Sequence, residues 1–167
     1  GKPILVGHSM GGMAIGDGAE KAPECAGKLV YLTALMLPPG ETLASAGIDL
    51  NIPVVVSDDG LTTTVTPEVG VRVFYNDCDA ADIAFAMPRL KPQAASIFGA
   101  AMQTTPGRWG RIPRAYIECT NDNAVAIEVQ RTMIWRAPVE RVVSLDSGHS
   151  PFFSMPGKLA DALHGLA

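Results

Sequence analysis

Four short stretches of this chain are rich in aliphatic and aromatic residues: Ile4-Leu5-Val6, which is fully apolar, and residues 28–34, 114–119 and 139–145, each broken by two or three polar side chains. Runs of this length read as strands, the first two as buried ones of the kind a parallel sheet covers on both faces. Between them the spacing changes to that of helices. Residues 13–21 form one helix candidate, stopped by Pro23, with Gly16 and Gly18 allowing close approach to a sheet; residues 124–135 form another. A last helix starts near Ser154-Met155-Pro156 and carries Leu159, Leu163 and Leu166 on one face. Strands alternating with helices predict an α/β architecture built on a parallel sheet flanked by helices.

The alternation is interrupted once. Leu35-Met36-Leu37-Pro38-Pro39-Gly40 breaks the pattern, and an irregular region runs from there to about Ile112. Residues 1–40 and 112–167 are therefore expected to form the core, and 41–111 an insertion that acts as a cap or lid. Inside the insertion, residues 53–57 and 61–65 flank Asp58-Asp59-Gly60, a hairpin signal. Residues 79–90 read as a helix with Ile83, Ala84, Met87 and Leu90 on one face, and Asp77, Asp79 and Asp82 as solvated residues at its start.

Composition narrows the partners. With 167 residues, 47% of them hydrophobic, the chain suits one domain with a real core. The net charge of -4 and the lack of any Lys/Arg run give a nucleic acid or an anionic membrane no electrostatic hold, so small molecules are the expected partners. Cys25, Cys78 and Cys119 have no metal-ligand spacing and read as inert thiols. No metal, nucleotide or flavin is expected, since there is neither a G-x-G-x-x-G cradle nor a P-loop ending. No apolar segment reaches membrane-span length and no signal-peptide layout is present, so the expected location is cytoplasmic. The chain starts at Gly1-Lys2, directly before an apolar strand, and reads as part of something longer. Its first strand is then an exposed edge, through which two copies could pair as a homodimer, and a localisation signal could lie upstream.

The strand at Ile4-Leu5-Val6 runs into Gly7-His8-Ser9-Met10-Gly11-Gly12. A G-x-S-x-G stretch between a strand and a helix presents its serine at the apex of a sharp turn, with glycines on either side easing a crowded backbone. Serine needs a base to take its proton, and near neutral pH that base is a histidine. Three exist. His8 sits beside Ser9 and reads as a structural histidine of the turn, while His164 falls on the terminal helix and reads as exposed. His149, in Asp146-Ser147-Gly148-His149-Ser150-Pro151, follows the last strand, where parallel sheets place their chemistry. The acid that orients such a histidine belongs between the two in sequence, after an earlier strand. Asp122 fits; Asp146 reads more simply as a turn or capping residue, and Asn121 and Asn123 lack the charge that would stabilise an imidazolium. The Met10 backbone N–H is the expected oxyanion-hole donor.

These residues, in this order, resemble the α/β-hydrolase superfamily, and within it the branch of plant methylesterases and hydroxynitrile lyases with their bacterial esterase relatives. The resemblance covers nearly all of the chain. It rests on residues 7–12, on Leu29-Val30-Tyr31-Leu32-Thr33-Ala34, on residues 113–122 and on His149-Ser150-Pro151-Phe152-Phe153-Ser154. It implies the C-terminal part of an α/β-hydrolase fold, with Ser9, Asp122 and His149 as the catalytic triad and the insertion as a cap over the active site. Members of the family usually begin with further strands and a His-Gly oxyanion loop, which this sequence does not contain. Lyases of one stereochemical class resemble this chain but have a lysine in place of Ser150 and a glutamate in place of His8, so both positions favour an esterase.

The expected chemistry is hydrolysis of small hydrophobic carboxylic esters through an acyl-enzyme, with Leu35, Met36, Phe152 and Phe153 as apolar walls of the substrate pocket. Two alternatives stand beside it. One is lyase-type cleavage of a cyanohydrin by the same Ser9 and His149; the other is a catalytically inert fragment or ligand-binding module.

Overall fold

A computed structural model describes all 167 residues. Four strands, β1 (Ile4–His8), β2 (Lys28–Leu32), β6 (Arg114–Cys119) and β7 (Arg141–Leu145), form one parallel sheet in the order β1-β2-β6-β7. The connections carry α1 (Gly11–Lys21) between β1 and β2 and α4 (Ile127–Arg136) between β6 and β7, with α5 (Pro151–Ser154) and α6 (Pro156–His164) closing the chain. A second, antiparallel sheet of β3 (Val55–Val56), β4 (Thr62–Thr64) and β5 (Gln93–Ala94) lies between β2 and β6 in sequence, together with α2 (Pro67–Phe74) and α3 (Ala80–Ala86).

The two inner strands separate their side chains to opposite faces, as a pleat of period two requires. Leu29, Tyr31 and Tyr116 join one buried cluster with Met13, Ala19 and Met133 from α1 and α4. Val30, Leu32, Ala115, Ile117 and Cys119 join the other, against Leu159 and Leu166 near the C-terminus. Burial on both faces therefore holds for β2 and β6. It fails for β1 and β7, which are the sheet edges, and Val6 and Val142 are 44% and 42% exposed.

Several boundaries differ from expectation for local reasons. The second strand stops at Leu32, because Thr33 turns to a φ of 36°. The last strand starts at Arg141 and α4 at Ile127, the latter because the amides before it bond a side chain of the preceding loop. The expected hairpin forms, but as a pair of very short strands extended by β5. Helix α3 ends at Ala86 and passes into a 3-10 turn at Pro88; its buried residue is Ala86, while Ala84 is exposed. The pattern gave no hint of α2, although Thr66, whose side chain accepts from Val69 N, and Pro67 in the first turn are an ordinary helix start. On α1, the close neighbour of Gly16 is Met102 of the insertion, with the Tyr31 hydroxyl of β2 beyond it, whereas Gly18 faces open space. No helix is long and apolar enough to cross a membrane.

Candidate functional site

All four parallel strands deliver a polar residue to the same edge of the sheet. Ser9 follows β1, Thr33 follows β2, Asp122 lies three residues past β6, and His149 lies four past β7. The ladder continues beyond the strands: Ser9 N donates to Leu32 O (3.3 Å), Thr33 N to Ile117 O (2.8 Å) and Asn121 N to Ser147 O (2.9 Å). The carboxyl edge of a parallel sheet is where such folds gather their reactive groups.

Ser9 adopts φ 54°, a left-handed conformation that costs a non-glycine residue on the order of 1 kcal/mol or more and is kept only where neighbours enforce it. The enforcement is visible. Gly7 lets Gly11 approach so closely that a Cβ on residue 7 would stand 2.6 Å from Gly11 O. Gly12, rather than Gly11, is the tight position on the far side, since a Cβ there would meet Leu35 O and stand 2.9 Å from Ala34 Cβ. Gly11 has open space around it. The Ser9 carbonyl accepts from Gly12 N and Leu35 N, while Met10 N has no acceptor within the chain. Ser9 Oγ likewise makes no hydrogen bond, to His149 or to any other group.

Of the acids considered, the structure joins Asp122 to His149. Nδ1–H of His149 donates to Asp122 Oδ2 at 2.7 Å, and both side chains are buried. The same Oδ2 accepts the hydroxyl of Thr33, and Oδ1 accepts Ala124 N (2.6 Å) and Val125 N (2.9 Å). Burial alone would push this carboxyl up; the hydrogen bonds and charge of His149, with those from Thr33 and Val125, hold it below its ordinary value. Asp146 instead clips the β6 loop, accepting from Asn121 Nδ2 (2.7 Å) and Thr120 Oγ1 (3.3 Å). Asn123 Nδ2 donates to Arg72 O at 3.0 Å.

His8 packs its ring 4.5 Å from that of His149, and its Nε2–H donates to His149 O at 2.7 Å. Burial and the neighbouring His149 push its pKa down to about 4, so it is neutral across the physiological range. His164 is exposed. The acids at the start of α3 divide. Asp77 and Asp79 are both exposed; Asp79 caps the helix by accepting from Asp82 N (2.8 Å), whereas Asp77 Oδ2 also accepts Gly148 N–H at 2.7 Å.

A cavity of about 840 Å³ opens beside Ser9 and Met10. Leu35, Leu43, Ile48, Phe74 and Val125 give it apolar walls, and Lys91 and Gln93 give it a polar side. Of the four residues read as pocket walls, Leu35 lies on this cavity, whereas Met36, Phe152 and Phe153 do not. Met36 is fully buried near Met133. Phe152 sets its ring edge-on to His8 at 5.0 Å, and Phe153 packs on Phe152, Tyr75 and Phe85. Sequence reasoning missed Thr33, read only as strand, and Phe74, which lines the cavity 5.5 Å from the His149 ring. The helix start at Thr66-Pro67 was the signal that could have brought Phe74 into view. No group of three or more metal-binding side chains is present, and the cysteines are all unpaired.

A model of the alpha/beta hydrolase family matches residues 1–162. The chain is 35% identical over 181 residues to a pyrethroid hydrolase of Sphingobium wenxiniae, the match taking in 100% of this chain and 64% of that protein. It is 29% identical to Methylesterase 1 of Arabidopsis thaliana, over 96% of this chain and 67% of the relative. It therefore spans about two thirds of the length of these relatives. Among solved structures, a pyrethroid hydrolase from Sphingobium faniae JZ-2 superimposes with a TM-score of 0.83 at 30% identity, over 99% of this chain and 70% of the other. Polyneuridine aldehyde esterase gives 0.85 at 21% identity, over 99% and 71%, a likeness of fold alone.

Proposed function

The chain belongs to the alpha/beta hydrolase family, and on that premise we propose that it serves carboxylic ester hydrolysis with Ser9 as nucleophile. The observation that carries this reading is the buried 2.7 Å bond between His149 Nδ1 and Asp122 Oδ2, at the strand edge where Ser9 stands at positive φ. With Nδ1 donating, the His149 Nε2 lone pair is left to take a proton. Ser9 Oγ attacks the ester carbonyl carbon as Nε2 takes its proton, and the ionised Asp122 stabilises the imidazolium. Met10 N–H, free of any acceptor, donates to the oxyanion. Collapse expels the alcohol, which leaves with the proton from His149, and an acyl-serine remains. Water then attacks it, losing its proton to the same nitrogen, and collapse releases the acid as that proton passes from His149 back to Ser9 Oγ.

The residues of the insertion that wall the cavity, Leu43, Ile48, Thr63 and Phe74 among them, support its reading as a cap over this centre. A largely apolar space of about 840 Å³ suits a drug-sized hydrophobic ester as well as the small one that the sequence suggests. Relatives named as a pyrethroid hydrolase and as methylesterases agree with ester substrates. The test is turnover of p-nitrophenyl esters of graded acyl length by the chain, beside Ser9→Ala and His149→Ala. Release of nitrophenol lost in both variants supports the proposal; release at equal rates in all three overturns it.

A further inference from the structure

The loop that carries His149 is held from outside the parallel sheet. Gly148 N–H donates to Asp77 Oδ2 at 2.7 Å, and the space where a Cβ of residue 148 would stand is filled by the side chains of Asn76 and Asp77. The same short segment reaches the loop that carries Asp122: Asn76 Nδ2 donates to Asn121 O at 3.0 Å, and Arg72 O accepts Asn123 Nδ2 at 3.0 Å. Residues 72–77 are the end of α2 and the turn after it, and Phe74 in their midst lines the cavity and packs on His149. One stretch of the insertion therefore bonds to the residue before His149 and to both neighbours of Asp122.

We propose that Asp77 is a positioning residue for His149, fixing the peptide that precedes the imidazole so that Nδ1 meets Asp122 Oδ2. The inference rests on the ester-hydrolase reading above, in which His149 is the base. A backbone amide of the His149 loop needs a partner, and an acceptor on a separate element sets the loop's position instead of letting it follow β7 alone. Asn76 fixes the other half of the distance by holding Asn121. Reacting groups must keep their spacing closely, because a displacement of about 1 Å can cost on the order of a hundredfold in rate. The carboxylate of Asp77 does this as an acceptor, a task that the isosteric amide oxygen of asparagine can also perform.

The experiment pairs kinetics with an NMR readout that needs no turnover. In Asp77→Ala, kcat on a p-nitrophenyl ester is expected to fall roughly tenfold to a hundredfold, with KM within about twofold, since no cavity-lining group is altered. Asp77→Asn is expected to stay within about threefold of the unsubstituted chain because it still accepts the Gly148 amide. The low-field proton of His149 Nδ1–H, bonded to Asp122, should be sharp in the unsubstituted chain and in Asp77→Asn, and broadened or lost in Asp77→Ala. Gly148→Ala should reproduce the loss from the other side of the contact. Melting curves taken alongside separate a local displacement from unfolding. An unchanged resonance and unchanged kcat in Asp77→Ala overturn the proposal, as does an equal loss in Asp77→Asn. Ester turnover by Ser9→Ala at the unsubstituted rate would instead overturn the hydrolase reading, and the resonance would still decide the role of Asp77.

Discussion

Replacing Thr33 by valine removes one hydroxyl and keeps the shape and β-branching of the side chain. Thr33 is fully buried, and its O–H donates to the Asp122 oxygen that also accepts His149. A hydrogen bond to a charged group contributes about 1.5–3 kcal/mol, and Oδ2 keeps one donor after the change, so the lower part of that range applies, about 1.5–2 kcal/mol. For a chain of this size that corresponds to a melting temperature lower by roughly 3–8 °C. Acidity gives a second handle. Asp122 is held below its ordinary value of 3.8, so the stability it contributes is fully present above that pH and is lost as the pH falls through the lowered folded value. The gap between the unsubstituted chain and Thr33→Val should therefore be widest near pH 7 and narrow below pH 3.8, with Thr33→Ser close to the unsubstituted chain. Melting followed by circular dichroism from pH 7 to pH 2 checks this. Equal melting temperatures at pH 7, or a gap that persists undiminished to pH 2, would show that the Thr33 hydroxyl does not stabilise the ionised Asp122.

Two further substitutions test the surroundings of the site. His8 titrates near 4 in the folded chain against 6.5 ordinarily, so the unfolded state gains a proton first and stability falls as the pH drops from 6.5 to 4. His8→Gln, whose amide can still donate to His149 O, should show a shallower decline over that window, and parallel unfolding curves would contradict the assignment. Tyr31→Phe leaves the buried Trp109 Nε1–H, which donates to Tyr31 Oη at 2.9 Å, without an acceptor. A loss of about 1–3 kcal/mol in urea unfolding is expected, with ester turnover unaffected, and no loss would mean that another group accepts the indole.

The parts of the molecule that could be read from sequence are those fixed by local chemistry. The strand Arg114–Cys119 coincides with the stretch that reads as one, and Gly7 and Ser9 of the G-x-S-x-G spacing mark the sharp turn, although the crowding on its far side falls on Gly12 rather than Gly11. His149 and Asp122 could be singled out because each follows a recognisable strand and few rivals existed. What stayed hidden depends on contacts distant in sequence. Thr33 looks like the next strand residue until the backbone turns at positive φ and aims its hydroxyl at a residue 89 positions away. Asp77 sits among other acids before a helix, and nothing local separates the one that caps, Asp79, from the one that reaches Gly148. More than a third of the residues walling the cavity come from 43–54, which have no regular structure to give them a period, whereas Met36, Phe152 and Phe153, apolar and close to the motifs in sequence, pack elsewhere.

In the ester-hydrolase reading, Ser9 is a nucleophile activated by His149 and Asp122. Intact mass of the folded chain after exposure to an activated phosphonate ester tests it most directly, because the phosphorus centre captures a reactive serine and the product stops there. A single adduct is expected, absent from Ser9→Ala and formed much more slowly in His149→Ala. A folded chain that takes up no adduct, or one that labels equally in Ser9→Ala, would contradict it.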